Sequence, residues 1–347
     1  MFATPTSRSF RRAAAFAPCI PLALAACQAA PPLEEQSAEA PPAAETPAPE
    51  YTLGPENSHN RWSSTIPPQL TVPSGAVVEV FTKEASDGQI TESTTAEDLA
   101  NVDFDLIHAL TGPIYVEGAS PGDILAVTLH EIEVQGWGWA GIFPGFGFLA
   151  DEITGPWIRG FPMEPGATEV AFNDDITIPL APFAGVMGVA PDTDSMLVTI
   201  PPRTNGGNMD NRHMIAGTTV YFPVQVEGAL FSIGDAHAAQ GDGEVSGSAI
   251  ETPVRVVFEV EVMENTRGMV EPQYESDDYY AVTGFGTTID EAARKATRYM
   301  IDYLVAEHGL TREEAYVLCS IAGDMKISET VDVPHMLVSM HMPKGIF

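Results

Sequence analysis

The chain has 347 residues, which is enough for a sizeable core in one large domain or two modest ones. Its 48 acidic and 16 basic residues give a formal net charge of -32 at pH 7. A surface of this sign repels phosphate backbones, so nucleic acid is excluded as a partner.

The first 26 residues have the pattern of an export signal. Three arginines precede an apolar run at 13–26, and this run is too short and too broken by proline to span a membrane as a helix. The run ends in Leu-Ala-Ala-Cys, which resembles the lipobox of bacterial lipoproteins. We therefore expect Cys27 to carry the lipid and to become the first residue of the mature chain. An ordinary secretory signal that is cleaved nearby is the alternative.

The residues that follow Cys27 predict where the chain resides. Gln28 comes next, and under the enterobacterial sorting rule a residue other than Asp at this position resembles an outer-membrane lipoprotein. We expect an exported protein that is lipid-anchored at the periplasmic side of the outer membrane or elsewhere in the cell envelope, with no other membrane contact. Residues 27–50 are dominated by Ala, Pro and Glu, so they cannot bury apolar area and are predicted to form an acidic tether.

From Tyr51 to about residue 285 the sequence predicts mostly β-structure. The clearest strand lies in 252–264, where apolar residues alternate with polar ones, and further strand patterns occur at 123–134 and 218–235. Segments rich in glycine and proline separate these patterns and predict turns. Many short strands with such turns favour a sandwich or a barrel.

The hydrophobic period changes near the C-terminus. Residues 288–309 place apolar side chains on one face of a helix, and 311–324 repeat the pattern. Each stretch opens with Thr and has Glu three residues later, which fits a capping box. The predicted fold class is therefore α+β, with a β-rich body of sandwich or barrel type, a helical hairpin at 288–323 and strands at the C-terminus.

The stretch 234–244, GDAHAAQGDGE, combines titratable residues with small ones. Asp235 and His237 are two residues apart, and in a strand such residues point to the same side. A carboxylate and an imidazole on one face form half of a metal site, because zinc and similar ions bind both ligand types. A structural role is the alternative, since Asp-Gly and Gly-Asp pairs are common in turns.

Two ligands do not complete a catalytic zinc site, which takes three protein ligands and a water. The remaining ligands have to come from other parts of the chain. The candidates are Asp210, His108, His59 and Glu251. The H-E-x-x-H pattern of zinc proteases does not occur.

An ordered series of segments across 59–347 resembles the acetamidase/formamidase family. The series runs through HNRWSSTIPPQLTVPSG, HALTGPIYVEGASPGDIL, PFAGVMGVAP, PPRTNGGNMDNR, GALFSIGDAHAAQGDGEVSGSAIE and SIAGDMKISETVDVPHMLVSMHMPKGIF. The last three segments, in this order, are the most specific. The resemblance covers nearly all of the predicted folded part, so residues 51–347 are expected to form the catalytic region.

The resemblance implies hydrolysis of short carboxylic amides, of the formamide or acetamide type, to the carboxylate and ammonia. It also implies a β-rich fold with late helices, assembly as a homo-oligomer, and a divalent metal ion, zinc, at the site. The metal ligands that it implies are Asp210, Asp235 and His237, then Glu251 and His108, and finally His59. Glu244 is expected to be the general base.

Two other functions stay open from the sequence. The chain could be a non-catalytic binding lipoprotein that keeps a β-sandwich, or a hydrolase of a different amide-like C–N bond. Two departures from the family pattern bear on the substrate. One is the export signal, since family members are mostly cytoplasmic, and the other is Ser246 at a position where many members have cysteine.

Overall fold

The structure is a computed structural model that describes residues 46–347. The predicted signal peptide, the lipidation site at Cys27 and the tether up to residue 45 lie outside the described residues. Within the described range, no helix combines the length and the apolar character that crossing a bilayer requires.

The described residues fold mostly into β-strands, with two α-helices near the C-terminus. The strands are β1 (Tyr51–Leu53), β2 (Ser58–His59), β3 (Leu70–Pro73), β4 (Ala76–Phe81), β5 (Leu110–Glu117), β6 (Ile124–Val134), β7 (Gly138–Ile142), β8 (Trp157–Phe161), β9 (Glu169–Ala171), β10 (Thr177–Pro179), β11 (Phe183–Gly188), β12 (Gly206–Asn208), β13 (Thr219–Pro223), β14 (Phe231–His237), β15 (Val254–Met263), β16 (Gln273–Glu275), β17 (Tyr279–Gly286), β18 (Asp324–Glu329) and β19 (Met336–Pro343). The helices are α1 (Ile289–His308) and α2 (Arg312–Ala322).

Two large sheets form the body of the fold. The first has nine strands in the order β1-β4-β15-β6-β13-β16-β17-β19-β18, and β1 is its one parallel neighbour, beside β4. The second has six strands in the order β12-β11-β14-β5-β2, with β3 parallel to β5. Strands β7 and β8 pair with each other, as do β9 and β10.

The two large sheets pack face to face through one hydrophobic core. This core contains Val256 and Phe258 of the first sheet and Phe231 and Ile233 of the second. The Phe231 and Phe258 rings meet edge to face, with their centroids 5.4 Å apart. Burial of each such side chain stabilises the fold by about 1.5–3 kcal/mol. The alternating apolar residues of β15 therefore hold the sandwich together.

The helical hairpin covers the late strands of the nine-stranded sheet. Met300 and Leu304 of α1 pack against Val282 and Val338 of β17 and β19. These apolar side chains recur along one face of α1, as the sequence pattern predicts.

The helix ends follow the predicted signals with one difference. In α2 the capping box between Thr311 and Glu314 is complete. In α1 the Thr288 hydroxyl accepts from the backbone of Glu291, but the Glu291 carboxylate accepts from Thr287 instead of Thr288. The predicted capping box of α1 is therefore incomplete.

The predicted fold class is confirmed as α+β, with a β-sandwich body and a late helical hairpin. The six-stranded sheet is the part that positions the candidate site. Its strands β11, β12 and β14 are neighbours, and the chain leaves β14 directly into the stretch 238–251.

Candidate functional site

Strand β14 ends with Asp235 and His237, and both side chains are buried. The φ angle of Asp235 is 47°, which is uncommon for a residue with a side chain. Although the strand is distorted here, His237 Nε2 lies 3.6 Å from Asp235 Oδ1. The structure thus places this carboxylate and this imidazole side by side.

Gly185 of β11 makes room for a second carboxylate beside β14. The backbone N–H of Asp210, which follows β12, donates to the Gly185 carbonyl at 3.2 Å. A Cβ atom at position 185 would lie 2.2 Å from Asp210 Oδ1 and 2.9 Å from the Asp235 carbonyl oxygen. The absence of a side chain at Gly185 therefore allows Asp210 Oδ1 to approach His237 Nδ1, at 3.7 Å.

Gln240 fixes the orientation of the His237 ring. Its Nε2 donates to the Asp210 carbonyl at 2.6 Å, so its Oε1 faces His237 Nδ1, at 2.7 Å. An amide oxygen can only accept, so Nδ1 carries a hydrogen and donates it. The other ring nitrogen, Nε2, therefore faces the carboxylates of Asp235 and Glu251.

Glu251 is held in place by its own backbone. Its N–H donates to the Trp139 carbonyl at 2.7 Å, and its carbonyl accepts from the Trp139 N–H at 2.9 Å. Its Oε1 accepts from the Ala249 N–H at 2.8 Å, while Oε2 lies 3.0 Å from His237 Nε2. The carboxylate is thus directed at the imidazole.

Three of these buried atoms lack a hydrogen-bond partner among the described residues. They are His237 Nε2, Glu251 Oε2 and Asp210 Oδ1. Buried polar atoms nearly always have a partner, so an unpaired group of acceptors needs a proton or a cation to be stable.

His108 approaches the cluster from the loop before β5. Its Nε2 lies 3.6 Å from Asp235 Oδ2, and its backbone N–H donates to Thr199 Oγ1 at 2.7 Å. Asp235 is therefore flanked by two imidazoles, those of His108 and His237.

Glu244 enters the cluster from a glycine-containing turn. The N–H of the preceding Gly243 donates to the Ser328 carbonyl at 3.0 Å, which fixes the turn against β18. Glu244 itself has a φ of 43° and a buried side chain. One of its carboxylate oxygens lies within 4.8 Å of ligand atoms of Asp210 and His237.

Burial and mutual repulsion shift the pKa values of the acids. Burial raises the pKa of Asp210 to about 6. Burial, and then the charge of Asp210, raises the pKa of Glu244 well above its usual value. Burial also acts to raise the pKa of Asp235, but His108 and His237 outweigh it and hold the value at about 2. Asp235 is thus the acid that stays ionised most firmly.

The His237–Glu251 pair shows the same competition. Burial raises the pKa of Glu251 to about 7. Burial acts to lower the pKa of His237, yet the charges of Glu251 and Asp235 outweigh it and raise the pKa well above its usual value. The site therefore attracts positive charge to the space between these side chains.

Two further buried acids, Glu329 and Asp332, belong to this region, and the sequence did not predict either as a site residue. Glu329 Oε1 accepts from the Asp332 N–H at 2.5 Å, and the Asp332 carboxylate accepts from Asn208 Nδ2. Burial raises the pKa of Glu329 to about 8, and burial together with Glu329 raises that of Asp332 well above its usual value. Both lie in the C-terminal segment that resembles the family, but no motif or spacing within it distinguishes them as site residues.

The cluster lines a cavity of about 50 Å³. The wall also includes four aromatic side chains, those of Phe104, Trp139, Phe143 and Phe146. These rings contact one another edge to face, with centroids 5.4 Å apart for Phe104 and Phe143 and 6.0 Å apart for Trp139 and Phe143. The cavity wall therefore combines a cluster of acids and imidazoles with a cluster of aromatic rings.

The donor set fits a divalent ion. Ligand atoms of Asp235, His237 and Glu251 lie within 4.8 Å of one another, and those of Asp210, His237 and Glu244 form a second such group. Imidazole and carboxylate are ligands that zinc binds. Since Gln240 occupies Nδ1 of His237, the group that uses Nε2, with Asp235 and Glu251, fits better.

Comparison with known proteins shows which family the chain belongs to. The family model described as "Acetamidase/Formamidase family" matches residues 49–198 and 193–347. The chain belongs to the acetamidase/formamidase family. An acetamidase of Mycolicibacterium smegmatis is 31% identical, covering 75% of this chain and 84% of that protein. A formamidase of Methylophilus methylotrophus is 29% identical, covering 83% and 89%.

Solved structures agree with this membership. The crystal structure of an acetamidase from Bacillus halodurans has a TM-score of 0.80 and 33% identity, covering 85% of this chain and 98% of that one. The β-sandwich with late helices is therefore the fold of this acetamidase/formamidase family member along nearly its whole described length.

In this family member the structure does not bring His59 to the cluster. His59 Nδ1 lies 2.8 Å from the Arg61 carbonyl and Nε2 lies 2.9 Å from Ser232 Oγ, so both ring nitrogens are occupied. The prediction of His59 as a possible metal ligand is wrong for this reason. The other predicted residues, Asp210, Asp235, His237, Glu251, His108 and Glu244, all line the cavity.

A serine motif elsewhere in the chain does not form a second site. Residues 118–122, GASPG, match the G-x-S-x-G pattern of serine hydrolases. Ser120, however, lies in the exposed turn between β5 and β6 and its hydroxyl donates to Glu227 Oε2. The pattern requires a strand-to-helix turn, so Ser120 is not a nucleophile in this fold.

Proposed function

We propose that this protein hydrolyses short carboxylic amides, such as formamide and acetamide, to the carboxylate and ammonia. The main observation behind the proposal is that the buried His237 side chain contacts the carboxylates of Asp235 and Glu251 beside a cavity of about 50 Å³. Membership of the acetamidase/formamidase family supports the same chemistry.

We propose that Asp235, His237 and Glu251 hold a divalent ion, zinc, with Asp210 and His108 beside them. When bound, such an ion polarises the amide carbonyl or lowers the pKa of a water. The unpaired buried atoms His237 Nε2 and Glu251 Oε2 support this assignment, because they require a positive partner.

Glu244 is proposed as the residue that moves the proton. Its carboxyl group is buried next to Asp210 and His237, and its pKa is raised by burial and by the charge of Asp210. A carboxyl group of this kind can take a proton from the attacking water and return it to the nitrogen. The nitrogen has to be protonated before it can leave as ammonia.

The aromatic part of the cavity wall orients the substrate. Trp139 is fixed there because its Nε1 donates to Glu84 Oε2 at 2.9 Å. An apolar wall lowers the local dielectric constant and thereby strengthens the electrostatic interactions of the acids. We therefore assign the small acyl group to this wall and the amide nitrogen to the side of Glu244.

The test is metal analysis and an ammonia assay on the full chain, purified without chelators. We expect a stoichiometric divalent ion and ammonia release from formamide or acetamide, which a chelator abolishes and added zinc restores. If no ion binds and no metal supports turnover, the non-catalytic binding lipoprotein is favoured. Ammonia release from urea or larger amides alone would favour a different C–N bond.

We also propose that the protein is exported and anchored by lipid at Cys27, with 27–50 as a tether that keeps the folded part off the membrane. The basic and apolar segments before Cys27 support this proposal. Labelling with radioactive palmitate should mark the wild type and not Cys27→Ser, and the label should fractionate with the outer membrane. A soluble, unlabelled wild type would refute the anchor.

Assembly as a homo-oligomer is part of the same proposal and rests on the family resemblance. Light scattering coupled to size-exclusion chromatography of the purified chain should give a mass of at least two protomers. A monomeric mass at micromolar concentration would contradict it.

A further inference from the structure

A second cavity, of about 460 Å³, adjoins the catalytic cavity. We call it the outer pocket. Much of its wall is apolar and is formed by Phe161, Phe172, Ile178, Ala181 and Ile250. Its volume is in the range of small-molecule sites, about 300–1,000 Å³.

The outer pocket and the catalytic cavity share two wall residues, Glu244 and Ser248. Ser248 is fixed, because its Oγ donates to the Gly141 carbonyl at 2.8 Å and accepts from the Gly141 N–H at 2.9 Å. Glu244 is fixed by the turn that Gly243 makes against Ser328. A molecule that extended from one cavity into the other would pass the two residues that line both, Glu244 and Ser248.

The catalytic cavity is too small for a long amide. A water-sized group needs about 10–15 Å³ of such volume. A cavity of about 50 Å³ then holds an amide group with a formyl or acetyl carbon and little more. Any larger substrate has to extend out of the cavity at some point on its wall.

The direction of this extension follows from the role of Glu244, so the inference rests on the proposed function. Glu244 returns a proton to the leaving nitrogen, so that nitrogen must face Glu244. The acyl group then faces Phe104, Trp139 and Phe143, which line the catalytic cavity and not the outer pocket. A group attached to the nitrogen is the part that passes Glu244.

We propose that the outer pocket binds the nitrogen substituent of a secondary amide. The substrate class is then an N-alkyl or N-aryl amide with a formyl or acetyl acyl group and an apolar group on nitrogen. The small residue Ala181 and the apolar side chains of Ile178 and Phe172 provide the surface that such a group buries.

The reaction needs no co-reactant other than water. The water oxygen forms a bond to the carbonyl carbon, and the bond between this carbon and nitrogen breaks. One proton of the water passes through Glu244 to the nitrogen as the C–N bond breaks, which gives a carboxylic acid and an amine. The acid then releases the second water proton to the amine or to solvent, so the products are the carboxylate and the alkyl- or arylamine or its ammonium ion, whose apolar part lies in the outer pocket.

The experiment compares matched substrates on the full, metal-loaded chain. N-benzylformamide carries its apolar group on nitrogen, phenylacetamide carries it on the acyl side, and formamide has none. We expect kcat/KM for N-benzylformamide to exceed that for phenylacetamide by about tenfold or more, since only the nitrogen side reaches an apolar pocket with room for a phenyl ring. Equal values, or a preference for phenylacetamide, would overturn the proposal.

A pocket-filling variant adds a structural check. Ile178→Trp should lower kcat/KM for N-benzylformamide by about tenfold and leave formamide within about twofold. Thr177→Trp is the matched control, because Thr177 is its exposed neighbour in β10 and does not line the pocket. Ala181→Phe serves as a second filling variant if the first does not fold, as judged by thermal melting.

The outcomes separate this inference from the proposed function. A wild type that hydrolyses formamide but not N-benzylformamide contradicts the inference alone. A wild type that hydrolyses none of the three amides contradicts the proposed function. If the filling variants fold but leave kcat/KM for both formamide and N-benzylformamide unchanged, or lower both equally, the nitrogen substituent does not lie in the outer pocket. As a readout that is independent of turnover, benzylamine should raise the melting temperature of the wild type and not of Ile178→Trp.

Discussion

The amide oxygen of Gln240 lies 2.7 Å from Nδ1 of His237, and this contact determines which ring nitrogen faces the carboxylates. The side-chain amide of Gln240 cannot flip by 180°, because its Nε2 donates to the Asp210 carbonyl at 2.6 Å. Gln240 therefore acts on the candidate metal through His237, as hydrogen-bond partners of metal-binding histidines commonly do.

Replacing Gln240 with Leu should weaken metal binding by about 10–100-fold, because the His237 ring loses the acceptor that orients it. The measurement is a competition titration with a zinc-binding dye, together with the ammonia assay. Gln135→Leu is the control, since the Gln135 side chain donates only to the carbonyls of the two preceding residues, at the end of β6 and away from the cluster. Unchanged zinc affinity in Gln240→Leu would show that the ring is oriented by other contacts.

A single added methyl group at Gly185 should disrupt the candidate site. The Cβ of Gly185→Ala would lie 2.2 Å from Asp210 Oδ1, so the carboxylate or the strand has to move. We expect loss of amide hydrolysis and a destabilisation of about 1–3 kcal/mol, measured by urea unfolding. Gly160→Ala on β8 is the control, because nothing lies within 4 Å of its Cβ. Full activity in Gly185→Ala would mean that Asp210 does not need its present position.

Local patterns in the sequence predict much of the fold and half of the site. The alternation in 252–264 predicts β15, and the change of period after residue 285 predicts the two helices. The spacing of Asp235 and His237 predicts that they meet, because both lie on one strand. In each case the relevant contacts are set by residues close together in the chain.

The remaining parts of the site depend on contacts between distant segments. Glu329 and Asp332 reach the cluster because β18 contacts the turn at Gly243, which no spacing in the sequence reveals. The prediction for His59 fails in the other direction, because it includes a residue that the site does not use. His59 lies in a segment that resembles the family, but its Nε2 is hydrogen-bonded to Ser232 of β14. Residue type alone cannot separate a ligand from a histidine whose nitrogens are both occupied.

Asp235→Asn should remove metal and activity together. Asp235 is the acid held most firmly ionised, because His108 and His237 outweigh its burial and keep its pKa at about 2. An amide in its place offers only a neutral ligand. We therefore expect the metal affinity to fall by more than the 10–100-fold that is typical when a hydrogen-bond partner of a metal ligand is removed. Metal content by mass spectrometry and ammonia release are measured on the same sample. A variant that keeps its metal and its turnover would remove Asp235 from the ligands.

Glu244→Gln should separate catalysis from metal binding. The glutamine cannot carry a proton from water to nitrogen, so kcat should fall by about 10²–10⁴-fold. Metal content should stay that of the wild type, because Asp235, His237 and Glu251 are intact. Glu313→Gln on the exposed surface of α2 is the matched control. Wild-type kcat in Glu244→Gln would assign the proton transfer to another group.

His59 should make the fold sensitive to acid. Burial lowers the pKa of His59 from 6.5 to about 4. The neutral ring fits its surroundings, because Nδ1 donates to the Arg61 carbonyl while Nε2 accepts from Ser232 Oγ. Between these two pKa values the unfolded chain binds a proton that the folded chain does not, so the free energy of unfolding falls as the pH falls.

At pH 5 this contribution amounts to about 2 kcal/mol relative to pH 7.5. Urea unfolding at the two pH values should therefore show a larger loss of stability in the wild type than in His59→Gln, which cannot be protonated. Comparing the two proteins removes the contributions of the many acids, which both chains share. Equal losses in wild type and variant would mean that His59 is protonated in the folded state, and that Ser232 does not hold it neutral.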